Sequence, residues 1–96
     1  MTSPTIRRRL AITGRVQGVF YRAWLTDQAT SLGLVGWVRN QTDSSVEAVV
    51  EGDGAAIDRL VTLARRGSPA SRVAAVVVSD DAPAEPLVDF AQRPTA

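Results

Sequence analysis

Gly14-Arg15-Val16-Gln17-Gly18-Val19-Phe20-Tyr21-Arg22 is the stretch on which the reading of this chain turns, because one periodicity ends there and another begins. Before it, Leu10, Ile12 and their neighbours read as a strand. After it, Tyr21, Leu25, Ala29 and Leu32 recur at spacings of four, four and three, the repeat of one helix face. The stretch is therefore a loop that carries a strand into a helix. A helix start leaves backbone N–H groups without partners, and Ser, Thr, Asp or Asn usually caps them. None of these lies between Gly14 and Arg22. The sequence instead predicts Gly18 as the N-cap, with amides free to hold an anion that the helix dipole also favours. Arg22 opposes that dipole, an arrangement that makes sense with an anion between them. A surface Arg after a glycine turn is the plainer alternative, which the rest of the chain must decide.

Working outward, the first strand is expected over about Arg7–Thr13 and the helix over about Phe20–Leu32, ended by Gly33. With period two, Arg8 shares a face with Leu10 and Ile12, whereas Arg7 and Arg9 point with Ala11 and Thr13. A charged start to a half-exposed strand explains Arg7-Arg8-Arg9 better than a basic patch does. Further strands follow at Val35–Asn40 and Val46–Glu51, joined by a hairpin turn at Thr42-Asp43-Ser44-Ser45. Glu47 and Glu51 flank Val49, which predicts one wet sheet face. Trp24 and Trp37 are read as packing residues. Asp53 caps a second helix in which Ile57, Leu60, Val61 and Ala64 form the apolar stripe, closed by Arg65, Arg66 and Gly67. Arg72–Val78 is a β-branched strand, Ser79–Pro86 a breaker-rich turn with a solvated Asp80-Asp81 pair, and Leu87–Arg93 a short optional last strand. Residues 1–5 are expected to fray.

The order β-α-β-β-α-β predicts an α+β fold, the ferredoxin-like split βαβ sandwich with both helices on one face of an antiparallel sheet, residues 1–96 forming one domain. In that arrangement the first two strands run in the same direction with the third between them. The Gly14–Gly18 loop and Asn40 then share one sheet edge, roughly 10 Å apart, a gap that a phosphate, a water and the reach of Arg22 would fill. Asn40 is in phase with Val38, and its amide can hold a water without titrating; an Asn that simply ends a strand before a turn is the plainer alternative.

Composition narrows the chemistry. The 96 residues carry 11 Arg, no Lys, 10 acidic residues and a net charge of +1, which argues against a dedicated nucleic-acid or membrane binder. The absence of Cys and His removes disulfides, thiol nucleophiles, imidazole bases and the usual zinc ligands. The start, Met-Thr-Ser-Pro-Thr, has no apolar signal region, and no stretch is long enough to span a bilayer, so the cytoplasm is the expected location. RNA-recognition modules share the strand and helix order, but their aromatic-rich central strand has no counterpart in Val46–Glu51.

The nine-residue stretch resembles the acylphosphatase signature G-R-V-Q-G-V-x-[FY]-R at every fixed position. Gly36-Trp37-Val38-Arg39-Asn40, with Asp43, Val46 and Glu47, resembles the second motif of that family. Gly67-Ser68-Pro69 with Arg72-Val73 resembles the block after its second helix. The resemblance implies hydrolysis of acyl phosphates to a carboxylate and inorganic phosphate by a small monomeric enzyme without metal or cofactor, acting on a small-molecule substrate and needing neither nucleic acid nor membrane. Carried over to these positions, the backbone of Arg15, Val16, Gln17, Gly18 and Val19 cradles the phosphoryl oxygens, Arg22 pairs with them, and Asn40 orients the attacking water. An anion-binding module that does not turn over is the alternative. Three departures stand out: Ser44 follows Asp43 where the family has Gly, Gln41 replaces a frequent Thr, and the last strand matches only through Phe90.

Overall fold

A computed structural model describes residues 5–81 and 85–96. The expected frayed start lies outside the described residues but for Thr5, and so do residues 82–84 of the breaker-rich turn. The elements are β1 (Thr5–Arg15), α1 (Tyr21–Ser31), β2 (Val35–Asn40), β3 (Val46–Asp53), α2 (Gly54–Arg66), β4 (Arg72–Asp80) and β5 (Phe90–Gln92). They form one five-stranded sheet in the order β4-β1-β3-β2-β5, antiparallel except where β5 runs parallel to β2. This is the ferredoxin-like α+β arrangement.

Strand alternation decides where the helices go. Leu10 and Ile12 of β1, Val38 of β2, Val46, Ala48 and Val50 of β3 and Val76 of β4 share one face and join one buried cluster. Tyr21, Leu25 and Ala29 of α1 belong to it too, as do Ile57, Leu60, Val61 and Ala64 of α2. Both helices therefore cover the same sheet face, each by the stripe its sequence spacing predicts. Asp53 caps α2 by accepting from the Ala56 amide, as expected.

The opposite face departs from the wet surface predicted above. Val49 is 2% exposed, Trp37 7% and Glu47 8%. Their cover is made of arginine stems and ion pairs. Glu47 takes both Arg9 and Arg39, Arg7 pairs with Glu51 at 2.9 Å, and Trp37 lies between the guanidinium groups of Arg39 and Arg93 at 4.6 and 4.9 Å. Arginine suits this task because its long apolar stem covers area while its head keeps a partner or stacks on indole. Arg7 and Arg9 thus belong to the sheet's outer cover. The Asp80-Asp81 pair is split: Asp80 is exposed beside Arg8, but Asp81 is mostly buried and accepts from Arg9 at 3.0 Å. Solvation of both carboxylates fails because β4 pairs with β1 as far as Asp80 opposite Arg8, which brings the next residue within reach of Arg9.

Several boundaries move. β1 is two residues longer at each end than expected, β3 and β4 each run two residues further, and β5 keeps only the residues that face β2. Trp24 packs at an angle on Tyr21, ring centres 5.4 Å apart, in keeping with its expected packing role.

Glu47 is the one carboxylate shared by two arginines among the described residues, and its side chain is 10% exposed. Glu47→Ala would leave Arg9 and Arg39 facing each other without it, so a loss of about 1–3 kcal/mol is expected. Urea unfolding should show a lower midpoint with little change in slope.

Candidate active site

The loop between β1 and α1 is shaped by two glycines. At Gly14 (φ 116°) the pairing of β1 with β4 shifts register, and a Cβ there would meet Arg72 O at 2.2 Å. Only glycine permits that approach while the chain turns out of the strand. Gly18 (φ 71°) has nothing within 4 Å of where a Cβ would stand, and it lines a cavity. Its left-handed backbone turns the loop and leaves that space open. Gly18 is not the N-cap predicted from sequence. That position belongs to Phe20, itself left-handed at φ 60° and offering no side-chain cap. The loop bends through two residues more than the sequence reading allowed before the helix begins.

Among the described residues, none of the backbone N–H groups from Val16 to Phe20 donates a hydrogen bond within the protein. Buried amides are nearly always paired, so a run of free ones at a helix start is a site for an anion. The adjoining cavity, about 260 Å³, is lined by Val16, Gly18, Phe20, Tyr21, Arg22, Ala23, Asn40 and Gln92. The Arg22 guanidinium points to no carboxylate: it has no ion pair among the described residues. Asn40 Oδ1 is buried and has no hydrogen-bond partner. Tyr21 contributes its ring alone, because its hydroxyl donates to Ala64 O at 2.9 Å inside the core. Burial raises the pKa of that hydroxyl far above its ordinary value, so it stays protonated.

The candidate residues from the sequence thus separate. Arg22, Asn40, Val16 and Gly18 meet at one cavity. Arg15 still belongs to β1 opposite Arg72, and Val19 is packed in the core. Gln17 has a second task, since its side-chain Nε2 donates to both Gln41 O and Ser45 O at 2.8 Å. It ties the loop to the hairpin that begins directly after Asn40. Phe20 and Gln92 were not among the sequence candidates. Period two puts Gln92 in phase with Phe90, but only the pairing of β5 with β2 brings it to the Asn40 side of the cavity. Phe20 sits at the single open position of the nine-residue motif, where the motif itself says nothing.

The hairpin is built around Asp43, which accepts from the backbone N–H and the hydroxyl of Ser45. The Ser45 hydroxyl, with the Ser45 amide, holds the Asp43 carboxyl below its ordinary pKa. Ser44 takes φ 78°, the left-handed conformation that a glycine would supply at no steric cost. Serine therefore stands here in a conformation that is strained for a residue with a Cβ. The Gln41 side-chain Oε1 lies 2.8 Å from the Ser45 hydroxyl, whose single proton goes to Asp43.

The Acylphosphatase family model matches residues 8–92. An acylphosphatase of Rhizorhabdus wittichii is 49% identical over 90 residues, which are 94% of this chain and 90% of that protein. One from an Acidovorax strain is 45% identical, the match covering 98% of this chain and 96% of that protein. The crystal structure of acylphosphatase from Bacillus subtilis superposes with a TM-score of 0.87 at 33% identity, covering 92% of this chain and 98% of that one. No helix among the described residues is long and apolar enough to cross a membrane.

A left-handed conformation costs a residue with a Cβ about 1–2 kcal/mol, and glycine returns part of this through its freer unfolded state. Ser44→Gly should therefore stabilise the protein by ~0.5–1 kcal/mol, seen as a rise of a few degrees in melting temperature. A fall in melting temperature would mean that the Ser44 hydroxyl holds the turn in a way its backbone does not reveal.

Proposed function

The chain belongs to the acylphosphatase family and is a hydrolase, and we propose that it cleaves acyl phosphates in the cavity between the β1–α1 loop and the end of β2, using Arg22 and Asn40. The observation that supports this reading is one cavity lined by a loop with free backbone amides, by a guanidinium without an ion pair among the described residues and by a buried amide oxygen without a donor. In this proposal the phosphoryl group lies in the loop from Arg15 to Val19. Arg22 neutralises the same oxygens. Phosphoryl transfer asks chiefly for positioning and for stabilisation of charge on the equatorial oxygens, which amides and one guanidinium supply without a metal.

Asn40 Oδ1 lacks a donor, and a phosphate dianion has none to offer. A water does. In the proposed mechanism a water donates one O–H to Asn40 Oδ1 and directs its lone pair at phosphorus, opposite the acyl oxygen. The new P–O bond forms as the P–O bond to the acyl group breaks, and the bonding pair leaves on the carboxylate. The proton lost by the water goes to a phosphoryl oxygen, so the products are a carboxylate and dihydrogen phosphate, which ionises in solution. A carboxylate leaves readily and needs no general acid. A chain without His or Cys is thus not short of catalytic groups.

A monomer as the acting unit is part of the same proposal. A small acyl phosphate as substrate and the cytoplasm as the place of action complete the proposal.

Purified protein should hydrolyse benzoyl phosphate rapidly in excess chelator. Arg22→Ala should cost both inhibition by inorganic phosphate and turnover, the latter by on the order of 10³ or more. Asn40→Ala should lower turnover by about 10² or more and largely spare phosphate affinity. Equal loss of affinity in both variants would overturn the division of roles, and phosphate binding without turnover in the unaltered protein would favour the non-catalytic binding module.

A further inference from the structure

Resting on the reading above, the cavity has an inner end and a rim, and only the inner end has been given work. Free amides, Arg22 and the buried Asn40 Oδ1 all call for the phosphoryl group and its water. The acyl group must then point the other way, toward solvent. Two side chains that line the cavity reach solvent there: Phe20, 87% exposed, and Gln92, also exposed.

Neither is where it is by default. Phe20 is a large apolar side chain held out of the core on a left-handed backbone at the start of α1, a costly position for a residue with a Cβ and one that buries nothing. Gln92 is held by its backbone: β5 pairs in parallel with β2, Val38 opposite Gln92, and the next residue donates from Arg93 N to Val38 O at 2.9 Å. Arg93 turns outward to Trp37 and Glu85, so alternation turns Gln92 to the helix side. Asn40 lies two residues beyond Val38 on the same face, which makes Gln92 its diagonal neighbour at about 7–8 Å between Cα atoms. The Gln92 side-chain amide makes no hydrogen bond among the described residues.

We propose that Phe20 and Gln92 form the acyl-group subsite of this enzyme, an aromatic face on the helix side and an amide on the strand side. The ring receives planar or apolar acyl groups such as benzoyl. The amide, with a donor and an acceptor free, receives acyl groups that hydrogen-bond, such as carbamoyl. Two weak and opposed preferences make a broad specificity, and each can be removed separately.

The test compares kcat/KM for carbamoyl phosphate and benzoyl phosphate in the unaltered protein, Gln92→Leu and Phe20→Ala, with inhibition by inorganic phosphate measured alongside. Gln92→Leu should lower the carbamoyl-to-benzoyl ratio by about fivefold, the worth of one neutral hydrogen bond, and Phe20→Ala should raise it by a similar factor. Phosphate carries no acyl group, so its inhibition constant should stay within about twofold in both. A ratio unchanged in either variant overturns the subsite, and so does a phosphate constant that shifts as far as the ratio does. An unaltered protein inactive on both substrates would overturn the enzyme reading itself, an outcome separate from an active enzyme with unmoved ratios.

Discussion

The side-chain amide of Gln17 makes two hydrogen bonds, to Gln41 O and Ser45 O, and the geometry of the cavity depends on them. Among the described residues no backbone N–H from Val16 to Phe20 donates within the protein, so the loop owes little of its shape to its own main chain. A loop of that kind would ordinarily sample many conformations, and its amides would lose their common direction. Gln17 anchors its middle to the hairpin after β2, while Gly14 wedges its start against Arg72 and Val19 roots it in the core. The amides can stay unpaired because the side chains and the strand hold the loop for them. The same two bonds set the hairpin, and hence Asn40, at a fixed height relative to the loop.

A different economy governs the far face of the sheet. Both helices lie on one side, and a small α+β domain commonly leaves the other side to water. Here an arginine and glutamate lattice closes over Val49 and Trp37, with Glu47 at its centre. Exposed ion pairs contribute little singly, but shared partners hold one another's side chains in place. The stems also cover apolar surface that a chain with only five aromatic residues could not cover otherwise. The tail continues the lattice, since Arg93 stacks on Trp37 from β5 and residues to Ala96 bond alongside Asn40 and Thr42. Stiffness of β2 on its outer face is stiffness of Asn40 on its inner one.

Much of this was legible in the residues. Period-four and period-two spacing located both helices and four strands, and the strand order followed from the β-α-β-β-α-β pattern. Arg22 and Asn40 could be brought to one sheet edge because topology alone puts the ends of β1 and β2 there. What was illegible depends on contacts between distant segments. Gly18 looked like a cap because local propensity favours it, whereas the chain delays the helix until Phe20 by accepting a left-handed phenylalanine. Glu47 and Glu51 looked wet because alternation says which way a residue faces and not what lies above it; Arg9, Arg39 and Asp81 supply the cover from strands up to 72 residues apart. Gln92 escaped notice because β5 is three residues long and gains its register only from β2.

Three features at the start of α1 are unfavourable taken singly: Arg22 opposes the helix dipole, Phe20 is strained at positive φ, and the loop amides have no partners. The first costs about 0.3–1 kcal/mol and the second about 1–2 kcal/mol, and they lie within three residues of one another. Such a concentration of cost has no structural return among the protein's own contacts. A dianion in the loop reverses the sign of two of the three, because it satisfies the amides and stands between the dipole and the guanidinium. The free protein is thus held close to the arrangement its ligand needs, and binding has little left to reorganise. That is the form of preorganisation the proposed hydrolysis, with no acid or base from a side chain, would require.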